Sequence, residues 1–205
     1  DGWRQSDRNM LKHFMGKQKQ KRDHRKLERP QSLVPASTDL WIYGIHASIA
    51  ALKNPNRRIN SILTTKYSSN FVTNLNNPNL PPHQIIDRKQ LDAILPPDSV
   101  HQGIAVQCDP LPYPHLEDVI INQNKNSVLI ILDQANDPRN IGSVLRSAAA
   151  FDATAVIVPD RGTPEISGSM AKAAAGAIEQ IPIVRVKNLA RSLKIIKNAG
   201  YWCVG

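Results

Sequence analysis

The chain has 205 residues, a net charge of +9 and a pI near 9.8, with 41% hydrophobic and 21% charged residues. That length and apolar content suffice for one or two small domains with buried cores, and the excess of lysine and arginine points to a polyanionic partner, nucleic acid before membrane. No apolar run approaches a membrane span and no signal-type apolar core opens the chain, so no membrane partner and a cytoplasmic location are expected.

Residues 1–39 form a basic leader poor in apolar side chains, with Lys17, Lys19, Lys21, Arg22, Arg25 and Lys26 crowded together. Such a stretch cannot bury enough surface to offset its ordering entropy. It predicts disorder, either with non-specific affinity for RNA phosphates or as a solvated tail with no specific role. Pro30 and Pro35 close it.

Residues 40–108 alternate between strand and helix patterns. Leu40–Tyr43 reads as a strand, and Ile45–Leu52 as a helix stopped by Asn54-Pro55. Ile59–Thr64 reads as a strand and Tyr67–Leu75 as a helix. After a Pro/Asn loop come a short strand at Ile85-Ile86 and a helix at Lys89–Leu95. His101-Gln102-Gly103 then leads into a strand at Ile104–Cys108. The alternation predicts a small α/β domain. Arg57, Arg58, Lys66, Arg88 and Lys89 scatter positive charge over it, for RNA phosphates or merely as a solvated face. His46 and His101 read as structural histidines. No cluster of Cys, His or carboxylates has ligand spacing, so no metal site is expected, and Cys108 and Cys203 read as buried reduced thiols. Residues 109–126, with Pro110, Pro112 and Pro114 and an Asn-rich end, read as a linker that allows relative domain movement.

A second domain is expected over residues 127–205. Val128–Leu132 is a continuous apolar run, suited to a strand buried on both faces. The polar stretch Asp133–Arg139 breaks regular structure, and a helix begins near Asn140 with Ile141, Val144, Leu145 and Ala148 as its apolar stripe. Arg146 points away from that stripe, with Gly142 one turn earlier on its side. A ligand could approach the bare backbone at Gly142 and meet the guanidinium. Asn140 is placed to cap the helix or to bond a ligand beside the free N–H groups. The alternative is an ordinary capped helix with a surface arginine. Neither GxGxxG nor GxxxxGK[ST] occurs here, so a dinucleotide or Walker-type site has no motif to rest on. Ala155–Val158 reads as a second buried strand. Ile166–Ile178 reads as a helix of small side chains, suited to tight packing or to close approach of a dimer mate or ligand. Strand Ile181–Val186, a helix Asn188–Asn198 capped by Asn188, and a final strand Tyr201–Val204 complete a parallel, doubly wound sheet.

The string Asp137-Pro138-Arg139-Asn140-Ile141-Gly142, followed by Arg146 and Ser147-Ala148, resembles the first motif of the SpoU (TrmH-type) RNA ribose 2′-O-methyltransferases of the SPOUT superfamily. Tyr43-Gly44-Ile45-His46-Ala47 and His101-Gln102-Gly103-Ile104 are similar to strings in that family's N-terminal RNA-binding domain, which resembles a small ribosomal protein. The resemblance runs from about Leu40 to Gly205 and is closest to the branch that methylates a guanosine of large-subunit ribosomal RNA. It implies S-adenosylmethionine as methyl donor, RNA as substrate (ribosomal before transfer RNA) and a homodimer. It places catalysis on Arg146, with Asn140 orienting the site. The candidate RNA contacts are Arg139, Gly142, Lys172, His46 and Gln102, together with Arg57, Arg58 and Lys66.

Methyl transfer to a ribose hydroxyl needs a deprotonated oxygen, in-line approach to the sulfonium methyl and a held RNA. The family's motif arginine is often assigned as proton acceptor. An arginine keeps its proton, which suits it better to clamping phosphate or stabilising a developing alkoxide. The family's second motif, an acidic residue in a Gly-Glu-Gly-type turn, and its third, a Ser-Leu-Asn stretch, would both follow Gly205. The implied fold is therefore an incomplete SPOUT domain without its C-terminal knot, retaining only the edge of the cofactor site at Val204 and Gly205. The expectation is a fragment of a longer enzyme. The alternative is a truncated, inactive relative that acts as a non-catalytic RNA-binding protein. A nucleotide hydrolase has no phosphate loop or carboxylate pair to support it.

Overall fold

The computed structural model describes residues 40–121 and 127–205, so the basic leader and its expected disorder lie outside the described residues. The first sheet has four strands, β1 (Leu40–Tyr43), β2 (Ile59–Thr64), β3 (Gln84–Ile85) and β4 (Ile104–Cys108), in the order β1-β4-β2-β3. β4 is antiparallel to both neighbours, and β2 runs parallel to the short edge strand β3. Alternation along the strands divides two cores. Leu40, Ile42, Ile62, Ile104 and Val106 face one side, with helix α1 (Ile45–Lys53), and Tyr43, Leu63 and Ala105 face the other. There Leu91 and Leu95 close the layer from α3 (Arg88–Ile94) and its C-cap. Helix α2 (Ser69–Thr73) is shorter than the Tyr67–Leu75 pattern predicts.

The second sheet is parallel, β5 (Leu129–Ile131), β6 (Ala155–Pro159) and β7 (Ile183–Val186), in sequential order. β6 is central, and its residues alternate between faces. Val156 and Val158 meet α5 (Pro138–Ala150) and α6 (Gly168–Ala174), whereas Ala155 and Ile157 meet α4 (Leu116–Ile121) and α7 (Leu189–Asn198). Helices on both faces are what a doubly wound α/β fold requires. Burying Ile141, Leu145 or Ile157 contributes about 1.5–3 kcal/mol each, and all three are essentially closed to water.

Several sequence expectations change here. β5 is half-buried rather than covered on both faces, because it lies at an edge of the three strands, and Val128 is exposed. Tyr201–Val204 is not a strand: no described strand runs beside it to complete a ladder. The expected helix Ile166–Ile178 splits at Ala175 and Gly176, both at positive φ, into α6 and a 3₁₀ turn at Ala177–Glu179. The expected linker contains α4, whose Leu116, Val119 and Ile120 are buried against the second sheet. The two α/β segments also share one apolar core, in which Ile42, Ala47 and Ala51 lie with Met170, Ala171 and Ala174. A core of that kind does not let the segments swing freely. Of the thiols, Cys108 is buried as expected but Cys203 is exposed.

Candidate active site

Helix α5 starts two residues earlier than its apolar pattern suggests, and a proline is the reason. Asp137 is extended (φ −91°, ψ 118°), as a residue before proline prefers to be, and Pro138 takes the first helical position, where no N–H is required. The Asp137 carboxylate accepts the Arg139 N–H at 2.8 Å. Asp137 is thus the cap, and Asn140 sits in the first turn with its side chain exposed.

The buried side of α5 carries Ile141, Gly142, Leu145 and Ala148, and the open side carries Arg139, Asn140, Ser143, Arg146 and Ser147. Ser143 Oγ and Ser147 Oγ donate to the carbonyls of Arg139 and Ser143, at 3.0 and 3.2 Å. The hydroxyls are therefore spent on their own helix. Arg139 and Arg146 are seven residues apart, which puts two guanidiniums on one face about 10 Å apart along the axis. No described residue bonds the Arg146 side chain, so this face offers two cations and an amide to a ligand.

Gly142 does not belong to that face. A Cβ built there would lie 2.5 Å from the Met170 carbonyl and 2.7 Å from Ala173 Cβ. The bare backbone serves the close crossing of α5 over α6, not a ligand, and the small residues of α6 serve the same contact.

Two sequence candidates from different segments meet. Lys172 Nζ donates to Gln102 Oε1, and the same oxygen accepts the Ile45 N–H at 3.2 Å. Gly44, at φ 89°, lets the lysine cross: a Cβ there would be 2.5 Å from Nζ. Partial burial lowers the Lys172 pKa from its usual range. His46 is exposed on the neighbouring first turn of α1. Arg58 is exposed, 3.8 Å from Asp109, and Lys66 is exposed on the β2–α2 turn. Arg57 is different. Its side chain is closed to water and bound to Glu179, so it cannot take an RNA phosphate. Val204 is fully exposed and Gly205 lies in open coil beside it, so these two residues enclose nothing.

His101 is structural. Its Nδ1 accepts the Gly103 N–H at 3.0 Å, which leaves Nε2 to donate to Asp92 at 2.8 Å. Sequence reasoning missed Arg185. It lies at the carboxyl end of the second sheet, where α/β folds place ligands, and it holds the β6–α6 loop. It donates to Pro164 O at 2.6 Å, pairs with Glu165 at 3.2 Å and lies 4.9 Å over the Tyr113 ring, whose hydroxyl donates to Glu165. Burial, more than the opposing Arg185 charge, raises the Tyr113 pKa. Among the described residues no group of three His, Cys, Asp or Glu side chains is placed to hold a metal, and no helix is long and apolar enough to cross a membrane.

Residues 127–205 match the model of the SpoU rRNA Methylase family, and residues 41–114 match that of the RNA 2′-O ribose methyltransferase substrate-binding domain. A Staphylococcus saprophyticus protein assigned to the TrmH family of tRNA/rRNA methyltransferases is 36% identical over 174 residues, covering 82% of this chain and 69% of its own length. An uncharacterized tRNA/rRNA methyltransferase of Synechocystis sp. is also 36% identical over 174 residues, covering 80% of this chain and 44% of its own length. The chain thus spans less than half of one such relative and about two thirds of the other. Among solved structures, an rRNA methyltransferase from Sinorhizobium meliloti aligns with a TM-score of 0.62 at 21% identity, over 80% of this chain and 60% of that one. The SpoU methyltransferase AviRb from Streptomyces viridochromogenes, in complex with AdoMet, aligns at 0.60 and 17%, over 78% and 60%. At such identities the structural likeness concerns the fold.

Proposed function

The chain belongs to the SpoU/TrmH family of RNA methyltransferases, and on that premise we propose that its protein transfers a methyl group from S-adenosylmethionine to a ribose 2′-hydroxyl of structured RNA, ribosomal RNA before transfer RNA, as a homodimer. The observation that carries the reading is the exposed face of α5, which presents Arg139, Asn140 and Arg146 beside the motif string. The donor supplies an electrophilic methyl. Val204 and Gly205, both exposed, do not wrap it.

The chain's own residues account for the RNA side. Arg146 keeps its proton, its pKa exceeding about 12. It therefore holds a phosphate beside the reacting ribose and stabilises negative charge developing on the 2′-oxygen. Asn140, about 1.7 turns earlier, orients the sugar by hydrogen bonding, and Arg139 adds a second phosphate contact. Support for an RNA substrate comes from the match of residues 41–114 to a substrate-binding domain and from exposed Lys66, Arg58 and His46 on that segment.

The test uses the full-length protein with ribosomal and transfer RNA transcripts and isotopically labelled methyl donor. Arg146→Ala is expected to lower methyl incorporation by about 10²–10³-fold while leaving the fold intact, since the side chain is exposed. No incorporation into either RNA by the unaltered protein would defeat the reading. RNA retention without transfer would leave a binding module instead.

A further inference from the structure

We infer that the first α/β segment holds an unstacked nucleobase of its RNA on the ring of Tyr67, with Lys66 and Arg88 taking the flanking phosphates. The inference rests on the RNA-methyltransferase reading above and specifies its substrate as a single-stranded loop rather than a duplex.

Four connections converge at one end of the mixed sheet: the start of α1, the β2–α2 turn, the β3–α3 turn and the 101–103 turn before β4. Together they line an open groove of about 760 Å³ that includes Lys66, Tyr67, Ile85, Arg88 and Gln102. That volume lies within the roughly 300–1,000 Å³ typical of ligand clefts. Tyr67 is 82% exposed, although an aromatic ring of its size would ordinarily bury much of its surface. Ile85, on the edge strand, leaves half of its surface open beside it.

The exposed ring is not on a loose loop. Ser68, its immediate neighbour, is fully buried, and its hydroxyl donates to the Gly103 carbonyl. The Thr65 N–H donates to the same carbonyl at 2.8 Å, and the Ser68 N–H closes the turn on Thr65 O at 3.1 Å. On the far side His101 accepts the Gly103 N–H, and Asp92 fixes the ring. The turn is thus anchored on both sides of the groove while Tyr67 is held out into water. With the backbone beneath it already fixed, the ring needs only its own side-chain rotamers ordered to bind, not the turn. Its groove carries cations of the sign RNA requires. Asp87, the lining acid, is engaged with Gln90 in the capping box of α3. A flat ring flanked by Lys66 and Arg88 matches how single strands are bound, through base stacking and backbone charge. Paired bases in an A-form helix present no free face to such a ring.

The experiment measures affinity of the full chain for a single-stranded RNA decamer, a hairpin with an open loop and a blunt duplex, over a series of salt concentrations. The expected result is preference for decamer and loop over duplex. Tyr67→Ala should weaken the decamer by about 5–100-fold with unchanged salt slope, and Tyr67→Phe should retain it. Lys66→Ala should reduce the salt slope by about 0.7. If Tyr67→Ala binds the decamer as the unaltered chain does, or the duplex binds as well as the decamer, the stacking inference is overturned while the RNA reading stands. If the unaltered chain binds none of the three at low salt, both fall.

Discussion

Arg57 Nη2 lies 2.6 Å from Glu179 Oε1, and both side chains are shut off from water. The pair joins the first α/β segment to the second. Arg57 Nε adds a bond to Glu179 Oε2 at 3.2 Å, its Nη1 donates to Asp109 O at 2.9 Å, and Asn54 Nδ2 donates to Glu179 Oε2 at 2.7 Å. With its partners complete, the pair fixes how two layers meet.

Removing one member leaves the other charge buried and alone. Arg57→Ala is therefore expected to cost about 3–5 kcal/mol, read as a lower urea midpoint. Arg57→Met with Glu179→Leu should recover most of that loss, since a matched apolar pair needs no counter-charge. An unchanged midpoint for Arg57→Ala would contradict the geometry.

Gly142→Ala places a methyl against the Met170 carbonyl and Ala173. Both belong to a packed helix crossing, so the change should destabilise by about 1–3 kcal/mol. Ser143→Ala, next in sequence but on the open side, should stay within about 0.5 kcal/mol. Equal melting temperatures for the two variants would rule out the close crossing.

Arg185→Ala removes the group that ties Pro164, Glu165 and Tyr113 together. Backbone amides of residues 160–167 should then lose at least about ten-fold of their hydrogen-exchange protection, while those of β6 keep theirs. Unaltered exchange in the loop would mean that other contacts hold it.

Burial pushes the Cys108 thiol from 9.0 up to about 11. The folded state then holds this proton more tightly than the unfolded state does. Its contribution is complete below pH 9 and is lost as pH rises to 11, about 3 kcal/mol over that window. Tyr113, also raised by burial, acts in the same direction. Urea midpoints of the unaltered protein should fall more steeply between pH 9 and 11 than those of Cys108→Ala. At pH 8 a thiol reagent should label exposed Cys203 and spare Cys108 until unfolding.

Much of this protein was legible in one dimension because the relevant physics is local. Apolar periodicity locates most of the strands and helices to within a few residues, but it misses α4 inside the expected linker and reads a strand at Tyr201–Val204 where the chain is coil. The Asn188 cap, the stripe Ile141, Leu145, Ala148 and the outward direction of Arg146 follow from helical geometry alone. The family string from Asp137 to Arg146 could be read directly. One misleading signal is local: Pro138 lies in a polar stretch that reads as a breaker, yet it opens the helix, since one residue type serves both purposes. The capping carboxylate of Asp137, two positions before a backbone N–H, was the signal that would have shown it.

The remaining decisions belong to tertiary structure. Arg57 and Arg58 are adjacent and chemically alike, yet one is buried against Glu179 and the other lies open to solvent. Nothing within the chain's local pattern separates them, because the partner is 122 residues away. The same holds for Gly142, whose missing side chain is required by α6 rather than by a ligand. It holds too for Lys172 and Gln102, which meet only because Gly44 leaves room between the segments. Sequence determined which faces are apolar and where charge is concentrated. Only the packing of one layer on another decided which charges stay open to solvent, since a buried cation must be paired at once and an exposed one need not be.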